Sequence, residues 1–535
     1  MPQYANNPIL PGFNPDPSIC RVGDDYYIAT STFEWYPGVQ VFHSTDLVNW
    51  TLVARPLNRQ ALLDMRGVPD SCGVWAPCLS YEDGRFWLLY TVTRRFDGNF
   101  KDTPNYLTTC ERIDGDWSDP VYLNSSGFDP SLFHDSDGRK YYLNMVWDHR
   151  PNDTYFRGIV MQEYEPDNQR LLGDRQLIFE GSSLDYTEGP HLYRFGDFYY
   201  LITAEGGTGY GHAVTIARSE TIDGPYIVDP EGAVVTASHD SSWPLQRAGH
   251  GDIVVTQNGE LYLVHLCSRP LEGERFSPLG RETAIQKLRM TDDGWLRMDS
   301  GDKRPQLQTP VPPLAESPVA SAPDRDNFDS GQLSAAFQWL RTPQNDAWMS
   351  LKDRPGHLRL YGQESTGSLF EQALVARRQQ HHRFEAETEV SFEPQHFQQM
   401  AGLICYYNSS KFHYLYLSTD GERGKHLNIM SCKGKTTLEL DFPIDSETVP
   451  MVNGKPVRLR AQVRGASLQF AWCYPGESWQ DIGPELDARI LSDEAGKGEG
   501  AQFTGNFVGI TCNDVAGTRH HADFDYFRYV ELCAD

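Results

Sequence analysis

Five stretches of this 535-residue chain can be laid in register. They are DPSICRVGDDYYIAT from Asp16, APCLSYEDGRFWLLY from Ala76, DPSLFHDSDGRKYYLN from Asp129, GPHLYRFGDFYYLIT from Gly189 and HGDIVVTQNGELYLVH from His250. Each opens on a short strand pattern, passes a glycine-containing turn and enters a second strand rich in aromatic and aliphatic residues. That is the pattern of a β-hairpin. Successive starts lie 53 to 61 residues apart. Each interval leaves room for two further strands, as in VQVFHSTDLVNWTLV (39–53) and HAVTIARSETIDGPY (212–226). Five units of about four strands predict a five-bladed β-propeller. The competing reading is a long β-sandwich or solenoid with accidental internal similarity.

In a propeller the first strand of each blade lines the central channel, so residues at the heads of the repeats should face one axis. Those residues are Asp16, Trp75 (beside Ala76), Asp129, Glu188 (just before Gly189) and His250. Taken singly, each has an ordinary explanation: an Asp in a turn, a solvated loop acid, a histidine satisfied in a core. Taken together they are harder to dismiss, because like charges meeting on one axis cost energy. Asp16 stands out further. In GFNPDPSI it is flanked by Pro15 and Pro17. Proline fixes its own φ and pushes its predecessor toward extended geometry, so Asp16 is expected to be extended and stiffly aimed.

Residues 1–300 are thus read as the propeller. The following segment, SGDKRPQLQTPVPPLAESPVASAPD (300–324), is rich in Pro and Ser without apolar period and reads as a linker over about 301–325. From 326 to 535 strand patterns return without the repeat: AGLICYYN (401–408), FHYLYLS (412–418), LQFAWCY (468–474) and FVGITCN (507–513). The terminal ADFDYFRYV (522–530) reads as a closing strand beside DNFD (326–329). A β-sandwich follows, serving stability, oligomerisation or one wall of an active site.

Composition narrows the function. A formal charge of −26 argues against nucleic acid and anionic membranes as partners. Aromatic residues make up 12% of the chain, and aromatics with acids suit sugars, which offer C–H faces and hydroxyls. No apolar run is long enough to span a bilayer, and MPQYANNPIL lacks the features of a signal peptide, so a cytoplasmic location is expected. Ten scattered cysteines without a C-x-x-C pair read as reduced thiols used as small hydrophobes. A homo-oligomer is the expected assembly.

The stretches GFNPDPSI, YYIATSTFEWYPG, FDPSLFHD, YTEGPHLY, TAEGGT, PLGRETA and QFTGNFVG resemble glycoside hydrolase family 43, in particular its two-domain bacterial β-xylosidases with a C-terminal sandwich. The resemblance covers nearly the whole chain and implies a five-bladed propeller. It implies that Asp16 is the general base, Glu188 the general acid and Asp129 the acid that orients and tunes Glu188. It implies that Phe33 and Trp75 line a xylose pocket, that Thr208 and Arg281 make polar contacts there, and that Phe503 reaches over from the second domain. His250 matches a channel histidine that binds a divalent ion in some relatives and not in others. No cofactor is required. Cys78 departs from the acid found in many relatives and is placed to alter the pocket wall near Trp75. The implied activity is inverting, exo-acting release of xylose from xylo-oligosaccharides, with α-L-arabinofuranosidase as the near rival and a non-catalytic sugar-binding propeller as the rival of another class.

Overall fold

The computed structural model describes residues 3–95, 98–151, 154–317, 323–434, 440–441, 448–495 and 502–533. Strands dominate it, and Ala488–Ile490 is the one helical turn among the described residues. The repeats form five antiparallel sheets. Blade one runs Ser18–Val22, Asp25–Thr30, Gln40–Ser44, Thr51–Ala54 from the inside outward. Blades two, three and five follow the same order, with innermost strands Gly73–Glu82, Ser131–His134 and Gln246–Val255. Blade four starts at Glu188–Phe195, and its third strand, Ala213–Ser219, pairs with both Ile227–Val228 and Val235–Thr236. The hairpin-turn glycine of every repeat, from Gly23 (φ 64°) to Gly259 (φ 82°), has a left-handed backbone, which explains the residue chosen there.

The innermost strands pack each against the next, and that of blade five packs against that of blade one, so the ring closes. Side chains make the closing joint. Asp252 Oδ2 of blade five accepts hydrogen bonds from Ser18 Oγ and Ile19 N of blade one, both at 2.8 Å. All ten cysteines stay out of disulfides, and most are buried. Among the described residues no helix is long and apolar enough to cross a membrane.

The second domain is two packed sheets. In one, Arg383–Ser391 lies between His521–Glu531 and Val457–Arg464. Its residues alternate strictly between buried and half-buried, the period-two pattern of a strand with one face on a core. Arg325–Asp326 pairs with His521–Glu531, as the terminal strand pattern predicts. Within the Pro- and Ser-rich stretch, Gln308–Val311 is a strand paired with Gln3–Asn6, so the chain's start is clasped after blade five.

The domains are joined by more than contact. Trp35–Tyr36, in the loop after the second strand of blade one, is the edge strand of the larger sandwich sheet and pairs with Phe337–Leu340. The Trp35 ring stacks on Phe507 with centroids 3.6 Å apart. One apolar cluster contains Phe33, Trp75 and Phe128 of the propeller together with Leu374, Tyr406 and Phe507 of the sandwich.

Candidate active site

The heads of all five repeats share a backbone feature. Asp16 (φ 53°), Ala76 (φ 33°), Asp129 (φ 56°), Gly189 (φ 56°) and His250 (φ 48°) are all left-handed. This corrects the extended geometry expected for Asp16 ahead of Pro17. Aspartate tolerates the left-handed region better than most residues, and here the surroundings hold it. Ser31 N donates to the Pro15 carbonyl (3.0 Å), and Ser31 Oγ donates to Asp16 Oδ2 (2.7 Å). Each inner strand thus enters with a kink that turns a side chain toward the axis.

There the side chains surround a pocket of about 250 Å³. That is below the roughly 300–1,000 Å³ of sites for drug-sized ligands and suits a single sugar ring. Asp16, Asp129 and Glu188 line it, with Phe33, Trp75, Thr208, His250, Arg281 and Phe503. The nine residues given site roles by the resemblance therefore meet in one cavity, and Cys78 does not join them. Phe128, Trp147, Phe156 and Tyr186 also line it and were not singled out. Phe128 directly precedes Asp129, while Trp147 and Phe156 stand at adjoining ends of the second and third strands of blade three. Reading only the repeat heads passes over such strand ends. Ser31, the donor to Asp16, was missed for the same reason.

The acids sit in different surroundings. Asp16 is 5% exposed; besides Ser31 it accepts Arg281 Nη1 at 3.1 Å. Asp129 is also buried and accepts Gly189 N at 3.0 Å, a bond that sets it beside Glu188. Glu188 is only partly covered. Burial, then the charge of Asp129, then that of Asp16 push the Glu188 carboxyl well above the usual range, with Arg281 pulling the other way. Burial and the charge of Asp16 push Asp129 up to about 8. Three carboxyls crowded into one pocket cannot all ionise at ordinary cost, so protons are retained among them.

Arg281 ties the polar side to the second domain. Its Nη1 donates to Thr208 Oγ1 (3.0 Å), and its Nη2 donates to the Phe503 carbonyl (3.0 Å). Its guanidinium stands over the Phe33 ring at 5.3 Å. The Phe503 ring lies 5.6 Å from Trp75 and 6.2 Å from Phe33. Arg247, buried, anchors the approach to this loop through Asp493 (2.8 Å) and Glu494 (3.2 Å).

His250 Nδ1 lies 3.9 Å from Asp16 Oδ1, and burial lowers the imidazole to about 4, which keeps it neutral. Among the described residues no three His, Cys, Asp or Glu are grouped to hold a metal ion. A hard divalent cation takes six to eight oxygen ligands, water among them, so an ion beside His250 would need a shell completed largely by water. Cys78 does not line the pocket. It is buried against Leu132 and Tyr142 between blades, and burial raises its thiol to about 12. Strand alternation past the kink at Ala76 turns it away from the wall that Trp75 forms.

Replacing Phe503 by alanine removes an aromatic wall and leaves its backbone bond to Arg281. Loss of an apolar contact worth about 1.5–3 kcal/mol should lower kcat/KM on xylobiose roughly tenfold to a hundredfold with an unchanged melting temperature. Wild-type kinetics in that variant would show that the sandwich does not shape the pocket.

Comparison with known proteins gives matches over both domains. The family described as "Glycosyl hydrolases family 43" matches residues 5–296, and "Beta xylosidase C-terminal Concanavalin A-like domain" matches 325–530. The chain is 54% identical over 531 residues to "Xylosidase/arabinosidase 43B" of Humicola insolens, covering 99% of this chain and 98% of that one. It is 50% identical over 534 residues to a "Beta-xylosidase" of Bacillus subtilis strain 168, covering 98% and 99%. The crystal structure of xylan beta-1,4-xylosidase from Bacillus halodurans C-125 superimposes with a TM-score of 0.96 at 50% identity, over 98% of this chain and 100% of that one.

Proposed function

The chain belongs to glycosyl hydrolase family 43, and on that premise we propose that it releases D-xylose from the non-reducing ends of short β-1,4-xylo-oligosaccharides by an inverting acid–base mechanism, with α-L-arabinofuranosidase side activity. One observation carries this reading furthest. Three acids from three blades meet in a single-ring pocket that an aromatic of the second domain helps to wall. A pocket of that size suits removal of one terminal sugar, and the three acids are more than a lectin needs.

Cleaving a glycosidic bond needs a proton for the leaving oxygen and a nucleophile at the anomeric carbon. Inversion uses water, held by a base on the face opposite the acid, with the two carboxyls about 6.5–9.5 Å apart. Asp16 is the proposed base. It must be ionised to take a proton from water, and Ser31 and Arg281 fix the direction of its lone pairs. Glu188 is the proposed acid. Its raised affinity for a proton is what a donor working near neutral pH requires. Asp129, held by Gly189 N–H, keeps that affinity high. Phe33, Trp75 and Phe503 present faces for the C–H side of the ring, while Arg281, Thr208 and His250 face its hydroxyls.

Hydrolysis of an aryl β-D-xyloside compared with an aryl α-L-arabinofuranoside tests the reading. The expected result is measurable turnover of both with the higher kcat/KM on the xyloside. The reverse order makes the chain chiefly an arabinofuranosidase, and turnover of neither glycoside overturns the enzyme reading.

A further inference from the structure

We infer that Glu34, buried where the sandwich meets the propeller, is a positioning residue that holds the aromatic wall of the sugar pocket together through Ser71. Glu34 stands between Phe33, which lines the pocket, and Trp35, which stacks on Phe507. It is 0% exposed, and its Oε2 accepts the Ser71 N–H at 3.1 Å. Ser71 is the node of the wall. Its Oγ accepts Phe503 N at 3.1 Å, and its carbonyl accepts Trp75 Nε1 at 3.0 Å. Ser71 also has a left-handed backbone (φ 58°), a costly conformation for serine that persists only where its neighbours hold it. The Phe33, Trp75 and Phe503 rings come from blade one, blade two and the sandwich, and they meet with centroids 5.6 to 6.2 Å apart. Glu34 and Ser71 are the polar joint between all three.

The joint is built for a neutral acid. The groups facing Glu34 are Asp70, Arg341 and the Tyr406 hydroxyl. Arg341 gives Nη2 to Asp70 Oδ1 at 2.7 Å and Nε to the Val68 carbonyl at 2.7 Å, and its buried Nη1 has no hydrogen-bond partner among the described residues. Asp70 Oδ2 accepts Ser409 N at 3.1 Å. Glu34 Oε1 is buried and has no hydrogen-bond partner among the described residues. A carboxylate so placed would leave a charge unsolvated, whereas a carboxylic acid leaves one polar atom. Burial first and the charge of Asp70 second raise Glu34 to about 8, and Arg341 opposes them. Below that pH the joint is intact. Above it a second carboxylate forms beside Asp70. The Ser71 N–H favours the charged form, so the repulsion is relieved by displacing Asp70, the residue just before Ser71, and that shifts the Ser71 carbonyl and hydroxyl on which Trp75 and Phe503 are held. Sugar affinity then falls with rising pH, separately from the titration of the acids in the pocket.

Glu34→Gln tests this, because glutamine copies the shape of the protonated acid and does not ionise. KM and kcat for an aryl glycoside that the wild type hydrolyses are measured from pH 6 to 9 in both proteins, with circular dichroism and thermal melting as fold controls. The two should agree near pH 6.5. By pH 9, one unit above the value for Glu34, the wild-type KM should exceed that of Glu34→Gln by roughly tenfold, while kcat follows one curve in both. Glu34→Ala, if it folds, should raise KM more than it lowers kcat. If it does not fold, the glutamine comparison decides alone. Coinciding KM curves in wild type and Glu34→Gln overturn the inference. It rests on the cavity being the site of hydrolysis: a wild type that turns over no glycoside brings down both, and an active wild type with coinciding curves brings down this inference alone.

Discussion

Glu188→Ala should lower xylobiose hydrolysis by about 10²–10⁴-fold and spare most of the rate on an aryl xyloside with a readily departing phenolate. The reason is chemical. A sugar alkoxide is a poor leaving group and departs only as its oxygen gains a proton, whereas a phenolate carries its own charge. A side chain whose proton is favoured by burial and by two neighbouring acids is suited to that donation. Asp16→Ala should be severe on both substrates, because water has to be activated whichever group departs. Asp16→Asn guards against a trivial explanation, since it keeps the side chain's shape and an acceptor for Arg281 Nη1, while the Ser31 hydroxyl turns to accept from the amide. Azide should partly rescue the Asp16 variants by attacking the anomeric carbon directly. The first sugar released by the wild type should be α-xylose, seen by NMR before it mutarotates. Release of β-xylose first would make Asp16 a nucleophile and the mechanism retaining. Equal leaving-group dependence in the Glu188 and Asp16 variants would overturn the division of labour between them.

What the sequence revealed of this site, and what it hid, follows from how the blades are built. Hairpin turns need glycine at a fixed point, and inner strands need residues that fit the channel, so the five-fold pattern was written in residue types. The register of the repeats even fell on the five left-handed residues from Asp16 to His250, although their backbone geometry was not foreseen. Local preference, in which Pro17 disfavours this conformation at Asp16, was overruled by bonds from Ser31, 15 residues away. The pocket's outer aromatics, Trp147, Phe156 and Tyr186, lie at strand ends and in loops, where an aromatic reads the same whether it faces a ligand or a core. The edge strand Trp35–Tyr36 was hidden for another reason. Two residues carry no period, and their pairing with Phe337–Leu340 bridges some 300 residues of chain. Glu34 is the extreme case: nothing in FEWY marks it as buried, and the groups that enclose it, Ser71, Asp70, Arg341 and Tyr406, come from distant parts of the chain.

Asp129→Asn should move the basic limb of the kcat/KM–pH profile to lower pH. The active form carries a proton on Glu188, and burial, Asp129 and Asp16, in that order, raise its hold on that proton. Asp129 and Glu188 titrate as an interacting pair, so their protons leave in steps that belong to both. Asparagine removes the like charge while keeping an acceptor for Gly189 N–H, and it suits the left-handed backbone at this position. Glu188 then loses one cause of its raised value, its acid form persists to a lower pH, and activity falls sooner as pH rises. Stability supplies an independent check with its own sign. A carboxyl whose folded value lies above its unfolded one contributes stability that is complete below the unfolded value of about 4 and is lost as pH rises through the folded one. For Asp129 that loss runs up to about 8. The melting temperature of Asp129→Asn should therefore gain on that of the wild type between pH 5 and pH 8. A basic limb that stays in place in a well-folded variant would remove Asp129 from the tuning of Glu188. A limb that moves while the melting difference stays flat would mean that Asp129 acts on Glu188 by orientation and not by charge.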